Sequence, residues 1–360
     1  MDRRVFSKIA AAGAAAAAMP VQGAKKPLEP LAPGVKVSLQ IPTEAPEEYL
    51  KFAVQLGVEW VNIPSGGDRA TLENFIRWKQ KVEAAGLKVW NIGNSNVHNM
   101  PEVTLNLPGR DQKIEEYKQF LRNLAKAGLT YTTYAHMGNG IWSSERETTR
   151  GGASARAFRL DTAKGYWGGK VFEGPLTHGR KYSKEELWEN YTYFIKQVVP
   201  VAEEAGIRIG IHPDDPPVPE LGGVPRHIFG TFDGYMRALE IANSPNVGVC
   251  LCCGTWMEGG KHTGKDVFEA IRAFGKMGKL WKIHFRNVSA PIPHFVETFV
   301  DNGYTDMYKV MKTLVEVDFR GCLIADHVPE MVGHRMTGWA YSIGYIKALL
   351  RAANELHKRG

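Results

Sequence analysis

Between Val35 and the C-terminus a short, β-branched apolar run followed by a helical pattern recurs eight times, and no other feature restricts the possible folds so severely. The runs span 35–41, 58–64, 87–94, 129–136, 207–213, 247–254, 280–288 and 321–327. After them, apolar residues recur at three and four over 47–56, 71–85, 112–127, 184–205, 232–242, 265–277, 305–317 and 338–356, the spacing of one helix face. Gly86, Gly128 and Gly206 stand just past three of these segments, where a left-handed cap ends a helix. Strands alternating with helices must run parallel, and eight units predict an α/β fold, a (β/α)8 TIM barrel, which leaves no sheet edge open. An open doubly wound sheet would carry a glycine-rich loop after its first strand; the residues there are Pro42-Thr43-Glu44-Ala45. The connection from Gly138 to Ser183, after the fourth strand, is too long for an ordinary loop. It predicts an insertion that serves as a lid or an oligomer arm over the mouth.

Residues 35–360 are expected to form a single catalytic domain, because α/β barrels often exceed 250 residues as one unit. Ahead of it, Arg3 and Arg4 precede an apolar run of 11 residues, Ile9 to Met19, and a small-residue stretch ending at Gly23-Ala24. This order reads as a twin-arginine-type signal peptide over 1–24, implying export to the periplasm, or a cytoplasmic protein if the leader is not processed. The run falls short of the roughly 20 residues that span a bilayer, so no stable membrane insertion is expected. Residues 25–34, with Pro27, Pro30 and Pro33, read as a linker.

The charge balance, 45 − 38 = +7, comes without a basic stripe interleaved with aromatics, which argues against nucleic acid and suits a small anionic substrate. Four cysteines in 360 residues are too few for a disulfide framework. Three of them, Cys250, Cys252 and Cys253, crowd together, as metal ligands or core thiols do.

Chemistry in such barrels gathers at the C-terminal strand ends. In the fifth strand the isoleucines face the helices, so His212 points inward. In the sixth, Val249 and Leu251 face out, which turns Cys252, not Cys253, toward the axis. In the seventh, Trp281 and Ile283 are expected outward, and Lys282, His284 and Arg286 inward. The eighth ends in Ala325-Asp326-His327. Two imidazoles, a thiol and a carboxylate at four consecutive strand ends suit one divalent transition-metal ion with a position open for substrate.

Around these residues the chain resembles the D-mannonate dehydratase family. The resemblance is carried by His212-Pro-Asp-Asp-Pro-Pro, Val224-Pro-Arg226, Cys252-Cys-Gly254-Thr255, His284-Phe-Arg286-Asn287-Val288, Phe295-Val-Glu297, Gly303-Tyr-Thr-Asp306-Met307, Asp326-His327 and Tyr341, and upstream by Val97-His98 and Tyr134-Ala135-His136-Met137. It implies a Mn2+ or Fe2+ site made by His212, Cys252, His284 and Asp326, with His327 and Tyr341 as the acid/base pair. It implies dehydration of D-mannonate to 2-keto-3-deoxy-D-gluconate. A homo-oligomer is also expected, with the insertion as a candidate arm. Arg286, Asn287, His98, Asp215, Arg226 and Glu297 are the candidate substrate contacts, with Arg286 a natural carboxylate fork. The chain departs from the family at Ala135-His136, at Val328 and over Trp256-Met257-Glu258-Gly259. Together with the leader, those departures favour an alternative: an exported isomerase, epimerase or keto-sugar lyase on the same barrel. A third reading, a non-catalytic sugar-binding protein, would need an incomplete ligand set.

Overall fold

The computed structural model describes residues 27–358, so the expected signal segment 1–24 and the first two residues of the linker lie outside the described residues. Eight parallel strands carry the fold: β1 Lys36–Gln40, β2 Trp60–Ile63, β3 Lys88–Ile92, β4 Tyr131–Tyr134, β5 Arg208–Ile211, β6 Val247–Cys252, β7 Leu280–His284 and β8 Cys322–Ile324. Their hydrogen-bonded order, β3-β2-β1-β8-β7-β6-β5-β4, is that of a (β/α)8 barrel. β3 and β4 end the order, and Trp90 of β3 meets Tyr131 of β4 at a ring separation of 5.6 Å.

The outer helices are α1 Glu47–Gln55, α2 Leu72–Ala84, α3 Arg110–Lys126, α4 Lys184–Ala205, α5 Phe232–Ala242, α6 Val267–Lys276, α7 Met307–Glu316 and α8 Thr337–His357. Local chemistry sets their ends. Ser183 with Glu186 and Asp266 with Glu269 form reciprocal capping boxes at α4 and α6. Gly206 closes α4 at φ 69°, a conformation that costs glycine little. Ile209 and Ile211 of β5 and Val247, Val249 and Leu251 of β6 are buried in the layer between strands and helices. The alternate residues on those strands therefore face the axis.

Two expectations change at β7. Its strand stops at His284, because Asn287 and Val288 leave the barrel to pair antiparallel with His294–Thr298. Trp281 does not pack outward: it joins Trp90, Tyr131, Cys322 and Ile324 in a separate interior cluster. The cause is a register shift, since Val249 faces Leu280 but Cys250 faces Lys282, which leaves Trp281 as the extra residue of a β-bulge. Parity counting fails across such a bulge.

The linker segment is not a free tether where it is described. Leu31 packs under the Trp90 and Trp281 cluster, and Arg208 donates to the Glu29 carbonyl, so these residues cover the base of the barrel. At the opposite end the insertion folds into short antiparallel strands. Ala157–Arg159 pairs with His294–Thr298, which stitches the insertion across the mouth of its own barrel. No described helix is long and apolar enough to cross a membrane.

Candidate active site

Four strand ends converge at the mouth. His212 directly follows β5, Cys252 ends β6, His284 ends β7, and Asp326 lies two residues past β8. One donor atom each from His212, Cys252 and His284 lies within 4.8 Å of the others, and the two imidazole rings stand 4.9 Å apart. Asp326 completes the set, with Oδ2 3.9 Å from Cys252 Sγ and Oδ1 3.3 Å from His284 Nδ1. That His284 nitrogen is buried and lacks a hydrogen bond among the described residues; the 3.3 Å approach is an ion-pair distance without hydrogen-bond alignment. Buried polar atoms normally find partners. A thiol, a carboxylate and an unbonded ring nitrogen facing one another are the arrangement that a shared cation would satisfy.

The surroundings prepare each donor. His212 Nδ1 lies 2.7 Å from the Pro213 carbonyl; as a donor there it leaves Nε2 with its lone pair. Burial, reinforced by His284, lowers the His212 pKa to about 3 and keeps the ring neutral. Cys250 Sγ lies 3.6 Å from His284 Nε2 and steadies that ring from below. Cys252 is also the N-cap of the short helix Cys253–Gly259, its sulfur accepting from Thr255 N at 3.4 Å. Burial raises its thiol pKa, so a bound cation is what would hold it as thiolate. Cys253 instead packs in the helix-facing core. Two imidazoles, a thiol and a carboxylate fit one divalent transition-metal ion.

Asp326 has φ 62°, a left-handed conformation that aspartate tolerates better than most residues. The strand has therefore ended, and His327, next in sequence, turns into the cavity instead of away from it. Its Nδ1 lies 2.8 Å from Glu297 Oε1. Glu297 in turn accepts from Arg156 Nη1 at 2.9 Å. Burial opposes its charge, but His327 and Arg286 overcome that and lower the Glu297 pKa to about 2.

Arg286 is not a substrate fork. Its Nε donates to Asp326 Oδ2 at 2.9 Å, Nη1 to Glu258 Oε1 at 2.6 Å, and Nη2 to Thr255 Oγ1 at 2.9 Å and Asp215 Oδ2 at 3.2 Å. With every donor group engaged and its side chain 1% exposed, it locks the carboxylate of Asp326 from behind. Arg226 spends its Nη1 and Nη2 on the Asp215 and Gly140 carbonyls and Asn139 Oδ1, and fastens the start of the insertion. Asn287 donates to the Thr305 carbonyl at 2.8 Å. These three residues and Glu297 stand behind the cavity wall. Of the expected substrate contacts, His98 and Asp215 line the cavity.

Tyr341 lies in the first turns of α8, but its hydroxyl accepts from Arg150 at 3.3 Å and its ring packs 5.8 Å from Phe299. It does not belong to the lining of the cavity, which measures about 260 Å³. A cavity of about 150 Å³ already admits a benzene-sized ligand, so a six-carbon acid fits.

Three residues of the site were missed in the sequence. Arg156, delivered by the insertion, bridges Asp215 at 2.7 Å and Glu297. Glu258 is buried against Arg286, and burial pushes its pKa up to about 7. Trp167 covers the mouth, its ring 5.3 Å from His98. Only Glu258 had a signal, since it sits in the atypical Trp256 to Gly259 segment.

A model of the family described as D-mannonate dehydratase (UxuA) matches residues 54–165 and 170–359. Mannonate dehydratase of Streptococcus pneumoniae is 31% identical over 320 residues, covering 80% of this chain and 86% of that protein. The crystal structure of mannonate dehydratase from Streptococcus suis serotype 2 superposes with a TM-score of 0.78 at 28% identity, over 91% of this chain and 95% of that one. A xylose isomerase domain protein from Planctomyces limnophilus shares the barrel alone, with a TM-score of 0.60 at 15% identity over 90% of this chain and 99% of that one.

Proposed function

The chain belongs to the D-mannonate dehydratase family and is therefore a hydro-lyase, and we propose that it converts D-mannonate to 2-keto-3-deoxy-D-gluconate and water with one divalent ion, Mn2+ or Fe2+. His212, Cys252, His284 and Asp326 would hold the ion. The observation that carries this reading is the convergence of His212, Cys252 and His284, with Asp326 against Cys252 and His284, beside the cavity lined by His327.

The reaction removes the proton from C2, breaks the C3–O bond with its electron pair going to oxygen, and protonates that oxygen so that it leaves as water. The resulting enol takes a proton at C3 and becomes the ketone. When bound, the ion supplies Lewis-acid stabilisation of the charge that develops on the substrate's oxygens. His327 moves the proton: Glu297 holds its Nδ1, which leaves Nε2 for the substrate. Arg156 fixes Glu297, and Trp167 and Ile141 from the insertion line the cavity wall. Tyr341, the proposed partner of His327, must leave its contact with Arg150 to reach the cavity.

Of the departures that favoured an isomerase or a lyase, His136 does not reach the site. It is buried against Phe194 and Tyr191 with its Nδ1 2.7 Å from Tyr134 Oη. Export through the paired Arg3 and Arg4 is part of the same proposal, as is self-association, for which Leu160, Tyr166, Val171 and Leu176 leave an exposed apolar surface on the insertion. A panel of aldonates and ketohexoses offered to the purified protein with Mn2+ tests the chemistry: D-mannonate should be dehydrated fastest. Epimerisation of a ketohexose without dehydration of any aldonate would defeat it.

A further inference from the structure

The part of the cavity formed by β2, β3 and the inner half of β7 holds polar groups without a partner among the described residues. Asn62 on β2 is 2% exposed and Asn91 on β3 is 6% exposed, both line the cavity, and the Oδ1 of each has no hydrogen-bond partner among the described residues. A buried amide oxygen left unpaired costs roughly 1–3 kcal/mol. Two such oxygens opening on one cavity point to a ligand that brings hydroxyl donors.

The third group is Lys282. The bulge at Trp281 aligns it with Cys250 and Cys322, one layer beneath His284, and it lines the cavity while only 3% exposed. No carboxylate pairs with it among the described residues. The neighbouring cations differ: Arg156 is spent on Asp215 and Glu297, and Arg286 on Asp215, Glu258 and Asp326. An ammonium in so enclosed a cavity is only partly hydrated, and without a counter-ion that is costly; an anionic ligand offsets the cost by supplying one.

We propose that Lys282, Asn62 and Asn91 form the subsite that recognises the substrate as an acid, with Lys282 pairing with the carboxylate and the two amide oxygens accepting hydrogen bonds from its hydroxyls. The proposal rests on the reading of the substrate as a sugar acid. Its chemical consequence is direct. Removing a proton beside a carboxylate drives negative charge onto the carboxylate oxygens, so a fixed ammonium there strengthens its hold as the reaction proceeds. It also sets specificity, because an alditol of the same length leaves the ammonium unpaired.

Calorimetry on the metal-loaded protein tests this with 3-deoxy-D-mannonate, which has no C3 hydroxyl to lose, and the uncharged D-mannitol. Wild type should bind the acid at least about tenfold more tightly than the alditol, the scale of a charge-assisted hydrogen bond. Lys282→Met should shrink that preference by about tenfold and leave D-mannitol binding unchanged. A preference undiminished in Lys282→Met, or none in wild type, overturns the proposal. If Lys282→Met does not fold, Asn91→Leu decides: it should weaken both ligands by about tenfold, and unchanged binding counts against the subsite. A wild type that prefers the acid through Lys282 yet does not convert D-mannonate retains the subsite and loses only the mannonate reading.

Discussion

His327 Nδ1 and Glu297 Oε1 stand 2.8 Å apart, a contact across 30 residues of sequence that orients the one imidazole in the cavity lying next in sequence to a strand-end donor. His327→Asn should therefore cut kcat by about 10² or more, the usual contribution of a general acid or base, with bound metal unchanged in elemental analysis. Tyr341→Phe should cost about as much if the phenol leaves Arg150 during turnover; a loss below about threefold would leave His327 to carry the proton alone.

Arg156 acts on that imidazole through Glu297 and is a positioning residue. Arg156→Met should lower kcat by about tenfold or more while KM for D-mannonate changes less, and Arg156→Lys should restore part of the rate. Steady-state kinetics of the three proteins reads the split. Equal changes in kcat and KM would indicate a general loosening of the insertion.

Cys252 and Cys253 are neighbours in sequence on opposite sides of the barrel wall. Cys252→Ser should lower metal occupancy at limiting Mn2+, whereas Cys253→Ser should retain it. Metal-to-protein ratios after dialysis check this, and the reverse pattern would refute the placement of the two thiols.

Gly254 lies where a Cβ would come within 2.4 Å of Arg286 Nη1. Gly254→Ala should displace the arginine that holds Asp326, lowering thermal stability by about 1–3 kcal/mol, the usual cost of overpacking, and weakening metal binding. Calorimetric melting with and without Mn2+ measures both, and a variant equal to wild type in both would contradict the role of Arg286.

The paired Arg3 and Arg4 predict a mature chain beginning near Lys25 outside the cytoplasm. Replacing both with lysine should trap the protein inside, as cell fractionation would show. A wild-type protein found uncleaved in the cytoplasm would end the export reading.

All eight strands and eight outer helices were legible from periodicity, because each strand must show the helices an apolar face while its ends stay polar. The same alternation singled out His212, Cys252 and His284. What stayed hidden lies where alternation breaks or where the chain crosses a long distance. The bulge at Trp281 reverses the parity on which its outward placement relied. The left-handed turn at Asp326 decides where His327 points, and no periodicity reports it. Arg156 sits in an insertion without a repeat, 59 residues from Asp215 and 141 from Glu297, so only folding brings them together. Arg286 looked available to substrate because a sequence shows a guanidinium and not the carboxylates that surround it.

Under the proposed mechanism, dehydration of D-mannonate requires a divalent ion at the four strand-end residues. Proton NMR of D-mannonate with the purified protein tests it most directly: before chelation, after complete removal of metal, and after Mn2+ is returned. 2-Keto-3-deoxy-D-gluconate should form in the first and third samples and not in the second. Conversion at the full rate by the metal-free protein, or no conversion by the fully loaded one, would contradict it.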